Sequence, residues 1–255
     1  MIGATAQLPG LPVAQTVQMR CKCCGGEASL AGFVDFARDV YHYNRKRGIT
    51  SGIPIPYYRC ARCEFGFTPC FDTWSASDFA AHVYNADYGL FDPKFEIERP
   101  RKTAQIVQQL FQDRRFSILD YGSGRGRMAE LLRDAGYQRV TTYDPFYGDS
   151  RKPPAGDRFD VVSCFEVVEH TTRPLDLFDD LHAYCQPHGV ILFSTKDFTV
   201  VPDYWLDDGY VAPRNGHVSL FSQVTLRFVA ERLGRDYQKV DKYRHLLLPR
   251  LPQAA

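Results

Sequence analysis

No stretch of this 255-residue chain approaches the roughly 20 apolar residues that would span a bilayer. Its apolar runs are as short as Gly189-Val190-Ile191-Leu192-Phe193. No sign of charge dominates either, because 31 Lys and Arg face 30 Asp and Glu. That balance argues against an obligate nucleic-acid binder and against an acidic solvating tail. The first residues, MIGATAQLPGLPVAQTVQM, lack a basic start and a continuous apolar core. No signal peptide is therefore expected, and cytoplasmic location is the default expectation. The length allows a full core and one or two domains.

Cysteine is present, and unevenly. Six of the eight cysteines lie between positions 21 and 70. Cys21-Lys22-Cys23-Cys24 and Cys60-Ala61-Arg62-Cys63 each contain a C-x-x-C pair, whose tight turn points two sulfurs at one point. Clustered thiols in a reducing compartment favour metal over disulfide, and Zn²⁺ takes four thiolates tetrahedrally. The expected zinc ligands are Cys21, Cys24, Cys60 and Cys63. Cys23 is a poorer ligand, because C-x-C does not form the usual knuckle turn, and Cys70 is a reserve. Gly25 suits a knuckle, where N–H···S bonding favours positive φ. Cys164 and Cys185 sit in apolar patterns and read as core.

Read in order, residues 1–18 form a loose leader without period and 19–70 a small zinc-ribbon-like module. Between the knuckles, short strands are expected around Phe33–Tyr43 and Ile53–Tyr58, with Arg45-Lys46-Arg47-Gly48 at a solvated loop tip. Residues 71–98 are rich in aromatics (Trp74, Phe79, Tyr84, Tyr88, Phe95), with Ser77 as a possible N-cap for a helix around 78–85. From residue 99 to 255 helices and strands alternate. Helices are expected over 101–113, 127–135 and 174–185, and in a segment capped by Ser222. Strands are expected over 116–120, 140–143, 160–164 and 189–194, with one or two more in Tyr237–Leu248. That alternation predicts an α/β fold with a doubly wound, mostly parallel sheet.

The stretch Phe116–Gly126, FSILDYGSGRG, organises this half. An apolar strand ends in Asp120, glycines follow at 122, 124 and 126, and an amphipathic helix begins. The dinucleotide fingerprint G-x-G-x-x-G would need glycine at 127, which is Arg127. The G-x-G-x-G spacing, with an acid two residues before it, resembles motif I of class I S-adenosylmethionine (SAM) methyltransferases. Asp144 at the end of the second strand extends the resemblance, as do Phe159-Asp160-Val161-Val162, Glu169-His170 and Pro187-His188-Gly189-Val190. The pieces stand in the family's order over residues 100–235, with His188 where the family has glycine.

The resemblance implies a Rossmann-like methyltransferase fold, with SAM held by Asp120, Gly122, Ser123, Gly124, Gly126, Asp144, Pro145, Phe165 and Glu166. Asp120 would take the ammonium group and Asp144 the ribose hydroxyls. Tyr84 or Tyr88 would lie near SAM. His170 is the candidate base, oriented by Glu169. The insertion 198–221, with Tyr204, Trp205, Tyr210, Arg214, Asn215 and His217, resembles the piece that completes a substrate pocket, and His217 is a second candidate base or substrate contact. In one place the chain falls short of the pattern. Asp160 follows Asp144 by only 16 positions, too few for the family's next helix and strand. A missing strand is expected there, with adenine contacts from Phe146 or Phe165. The implied function is methyl transfer from SAM to a small molecule, a sugar or nucleotide-sugar among the candidates. An RNA methyltransferase gripping RNA with its zinc module is the alternative, with Arg45–Arg47 and Arg99–Lys102 as phosphate contacts, and a non-catalytic scaffold is the third reading.

Overall fold

The computed structural model describes residues 18–147, 152–198 and 205–250. The leader (up to residue 17), Tyr204 and part of the short 145–159 segment lie outside the described residues. In the N-terminal part, β1 (Gln18–Arg20), β2 (Glu27–Asp35), β3 (Pro54–Cys60) and β4 (Gly66–Phe67) form antiparallel neighbours. Three helices follow: α1 (Ala76–His82), α2 (Tyr88–Phe91) and α3 (Glu98–Leu110). The expected cap Ser77 is displaced. Ser75 caps α1 through a reciprocal pair in which Ser75 Oγ accepts from Asp78 N and Asp78 accepts from Ser75 N. Asp78 supplies the acid that the box needs three residues on, so the helix starts earlier.

The second half builds β5 (Ser117–Tyr121), α4 (Arg127–Asp134), β6 (Arg139–Tyr143), β7 (Phe159–Cys164), α5 (Pro174–Tyr184) and β8 (Cys185–Ser194). It ends with β9 (Ser219–Leu220), α6 (Gln223–Arg232), β10 (Arg235–Lys239) and β11 (Arg244–Pro249). The main sheet runs β10-β11-β8-β7-β5-β6. Strands β6, β5, β7 and β8 are mutually parallel, and β11 and β10 add antiparallel. Leu119, Val162, Ile191 and Leu247 form one row across it, all fully buried, because helices cover both faces of a parallel sheet. Among the described residues no strand lies beyond β6, as the short spacing after Asp144 implied. The sheet's last parallel strand starts earlier than expected. Cys185 opens β8 instead of closing α5, and Cys164 and Cys185 are both core residues.

The cysteine-bearing sheet does not close on itself. Its fifth strand is β9, which pairs with β4 through Gly66↔Leu220 and Phe67↔Ser219. Phe65 stacks on Phe67 and meets Phe221, which in turn meets Phe178 of α5. Tyr58, Phe65 and Phe67 thus share one apolar core with Phe178, Phe193 and Leu247 of the main sheet layer. No helix among the described residues is long and apolar enough to cross a membrane.

Candidate active site and cysteine centre

The glycine turn is built by steric necessity. Gly122 has φ +79°, and a Cβ there would come within 2.2 Å of Val167 Cγ2. Gly122 N and Ser123 N both donate to Tyr143 O at the end of β6 (2.7 and 3.1 Å), which clamps the turn across two strand ends. Gly126, also at positive φ, is the N-cap of α4. Asp144 Oδ2 accepts from Gly124 N at 2.8 Å, and Oδ1 accepts from Phe146 N and Tyr147 N. This carboxylate therefore fixes the turn's shape.

Asp120 is the penultimate residue of β5, between β6 and β7, almost fully buried, with Ser163 Oγ at 3.5 Å from Oδ1. Burial raises its pKa to about 7, with Asp144 adding to the rise. Glu166 follows β7 with φ +56°, a conformation that side chains resist. Ser194 holds it there from the end of β8: its Oγ accepts from Glu166 N and donates to Glu166 Oε1, both at 2.8 Å. Arg99 of α3 stands 3.5 Å from Glu166 Oε2 and makes a two-pronged pair with Asp92.

These groups open on one cleft of about 450 Å³. Asp120, Gly122, Ser123, Gly124, Asp144, Pro145, Phe165, Glu166 and His170 all line it. Gly126, Glu169 and His217 do not. Its other wall is the aromatic segment, through Trp74, Phe79, Tyr84, Tyr88 and Phe95, together with Phe146. Tyr84 packs against both Phe146 (5.1 Å between centroids) and His170 (5.9 Å), joining the two walls. The sequence offers Arg99 only as a phosphate contact in the RNA reading, because it belongs to no motif of the methyltransferase resemblance; it lines the cleft beside Glu166.

His170 and Glu169 belong to a short 3-10 turn after β7. The expected orienting contact between them is absent. Glu169 is fully buried, and its Oε1 accepts from Tyr210 Oη at 2.6 Å. Neighbouring residues on a tight turn point apart, so a partner from the 198–221 insertion takes the carboxylate instead. Glu169 Oε2 and His170 Nδ1 are both buried without a hydrogen-bond partner. His217 is buried beside His170, with ring centroids 4.9 Å apart, and its Nδ1 bonds Tyr210 O at 2.7 Å. A carbonyl only accepts, so that nitrogen carries the proton and Nε2 keeps its lone pair. Burial lowers His217 to about 4, and burial with His217 alongside lowers His170 to about 3. Burial, with Glu166 nearby, raises Glu169 to about 8.

The four chosen cysteines converge elsewhere, at the edge where β9 joins. Cys21 and Cys63 Sγ lie 3.6 Å apart, Cys24 and Cys60 Sγ 3.4 Å, and the set falls within 4.8 Å. Sulfurs on a tetrahedral ion with bonds of about 2.3 Å would sit roughly 3.8 Å apart. The two knuckles match. Cys21 Sγ accepts from Cys23 N and Cys24 N, and Cys60 Sγ from Arg62 N and Cys63 N, all at 3.4–3.5 Å. Gly25 (φ +69°) and Glu64 (φ +61°) occupy equivalent positions, and each N–H closes its turn on the carbonyl of Cys21 or Cys60. The positive φ also turns the next N–H toward sulfur, Gly26 N–H to Cys24 and Phe65 N–H to Cys63, as expected for a knuckle. Cys23 and Cys70 stand outside the four-sulfur set.

A methyltransferase domain family matches residues 95–240, more than half of the chain. The chain belongs to this family, the class I SAM-dependent methyltransferases. It is similar to a ubiquinone biosynthesis O-methyltransferase of Histophilus somni (strain 2336), at 24% identity over 139 residues, covering 44% of this chain and 57% of the relative. A protein of the same description from Actinobacillus pleuropneumoniae serotype 5b (strain L20) is 36% identical over 110 residues, covering 32% and 47%. The chain thus spans about half the length of the curated relatives it matches. A SAM-dependent methyltransferase from Archaeoglobus fulgidus aligns with a TM-score of 0.47 at 19% identity, over 63% of this chain and 99% of that one.

Proposed function

We propose that the protein transfers the methyl group of SAM to a hydroxyl of a small, ring-bearing molecule bound under the aromatic wall. One observation carries this reading. A single cleft joins the glycine turn, Asp120 and Asp144 to His170 and to the rings of Tyr84, Tyr88 and Phe146. Asp120 receives the ammonium group of SAM, and Asp144, which lines the cleft at the end of β6, receives the ribose hydroxyls. Phe146 and Phe165 flank the adenine in place of the missing strand. SAM is already an activated donor, so the residues mainly align the acceptor in line with the methyl carbon. His170, unprotonated at neutral pH, is the polar group on that wall that meets the acceptor hydroxyl. Aromatic faces suit planar phenols, and they also suit the apolar face of a sugar ring. The O-methyltransferase relatives favour a hydroxyl acceptor. The four-cysteine centre takes one Zn²⁺ as a structural ion, since none of its four cysteines lines the cleft.

The test is transfer of isotope-labelled methyl from SAM by purified protein in an extract of small metabolites. Label in an acid-soluble product that becomes volatile on ether cleavage supports the reading, and chromatography then separates phenolic from sugar acceptors. Label in RNase-sensitive precipitate, or failure to bind SAM by calorimetry, would sink it.

A further inference from the structure

One cluster of metal-ligating groups is left over from the reading above. Glu169, His170 and His217 each bring one ligand atom within 4.8 Å of the others. The cluster combines features that a merely structural packing would avoid. Glu169 is fully buried, and among the described residues it has no basic side chain within ion-pair reach. Its Oε2 has no hydrogen-bond partner, and neither has His170 Nδ1. Leaving a buried carboxyl oxygen and a buried imidazole nitrogen unpaired costs folding free energy, so such groups are normally satisfied by something. Arg99, the nearest candidate cation, is already committed to Asp92 and Glu166.

The outer contacts are those that prepare ligands for a metal. Tyr210 Oη donates to Glu169 Oε1, leaving Oε2 as the free oxygen. Tyr210 O accepts from His217 Nδ1, which fixes the tautomer with a bare Nε2. A single residue therefore orients two of the three groups, as outer partners of metal ligands do. Thr195 Oγ1 in turn reaches Tyr210 Oη at 3.4 Å. His170 lines the cleft, so that side of the trio is open to a ligand.

We propose that Glu169, His170 and His217 bind a first-row divalent cation whose open positions face the methyl-transfer cleft. Two imidazoles and one carboxylate form a set suited to Fe²⁺, Co²⁺, Mn²⁺ or Zn²⁺ rather than to Ca²⁺ or Mg²⁺. Bonds of about 2.1 Å draw the three atoms together by small side-chain rotations. The inference deepens the functional reading and rests on it for the ion's role. The bound cation meets the acceptor oxygen and favours its deprotonated form. The oxygen's electron pair forms the new O–CH3 bond, the S–CH3 electron pair stays on sulfur, and the hydroxyl proton leaves to solvent.

The test uses Co²⁺ on the zinc-bearing full-length protein, without substrate. The expected result is one further equivalent of Co²⁺ and two exchangeable, hyperfine-shifted imidazole N–H resonances in the proton NMR spectrum. A thiolate site cannot produce those resonances. Glu169→Gln and His217→Gln are expected to weaken Co²⁺ binding at least about 100-fold, while His188→Ala, on the exposed surface, leaves it unchanged. SAM binding by calorimetry verifies that each variant is folded. Absence of the shifted N–H resonances in the wild-type protein would overturn the site whatever the variants do. Unchanged Co²⁺ affinity in folded Glu169→Gln and His217→Gln proteins would overturn it equally. SAM binding and methyl transfer are read separately, so failure of the metal site and failure of the methyltransferase reading are distinguishable.

Discussion

Asp120 is a buried acid at a strand end with no ion-pair partner among the described residues. Its folded pKa of about 7 lies above the usual carboxylate value near 4. Between those values the free protein holds a proton that the unfolded chain has lost, so this group's contribution to stability falls as pH rises through that window. An ammonium ligand reverses the preference, because it needs the carboxylate. SAM binding is therefore expected to release a proton below pH 7 and to weaken as the pH falls. Calorimetry at pH 6 in buffers of different ionisation enthalpy measures the release, and Asp120→Asn is expected to abolish it while weakening SAM binding. A proton count of zero in the wild-type protein would count against Asp120 as the ammonium site. Gly122 is constrained by space as much as by φ. Gly122→Ala drives a methyl into Val167, and a loss of about 2–4 kcal/mol is expected by denaturant titration, together with loss of SAM binding. His170→Ala is expected to lower the methylation rate by about 10²–10⁴ while SAM affinity changes little. A rate within threefold of wild type would remove His170 from the chemistry.

At the scale of elements, α6 is the joint between the cysteine centre and the main sheet. Ser222 caps it with Thr225, as a serine followed three residues later by a threonine hydroxyl allows. Thr225 Oγ1 also donates to Cys63 O at 2.7 Å, so the cap reaches the second knuckle. Thr225→Val keeps the shape and leaves that carbonyl only the longer bond from Ser222 Oγ, at 3.4 Å. A loss of about 1–2 kcal/mol is expected, read as a melting temperature lower by roughly 3–6 °C. Ser222 was legible as a cap from its place before an apolar helical pattern. Its tie to Cys63 was not, since the residues are 159 apart in sequence. The α1 cap shows the opposite error. Ser75 and Ser77 compete within one short polar stretch, and the deciding partner is the Asp78 carboxylate.

For the molecule as a whole, the two sheets share one apolar core, so they are expected to unfold together. The cysteine sheet takes β9 from the far end of the chain, and Phe65, Phe221 and Phe178 bridge the layers. With zinc in the cysteine centre as proposed, its removal by a strong chelator, or Cys60→Ser, is expected to lower the melting temperature in a single transition and to reduce SAM binding with it. Cys70→Ser is expected to leave zinc content at one per chain. A separate early transition that spares SAM binding would show the cysteine unit to be independent.

The sequence by itself determined what short range can encode. Apolar periodicity placed the strands and helices of the α/β half, the glycine spacing marked the turn after β5, and C-x-x-C pairing chose the four converging thiols. Each depends on neighbours a few residues away. Only the tertiary structure brought β9 into the cysteine sheet, closed the aromatic segment over the cleft, and set Tyr210 against Glu169 across 41 residues. Those contacts join segments that carry no local signal for each other. The reason is physical: burial rewards any apolar surface, and only the packed chain decides which surface it meets.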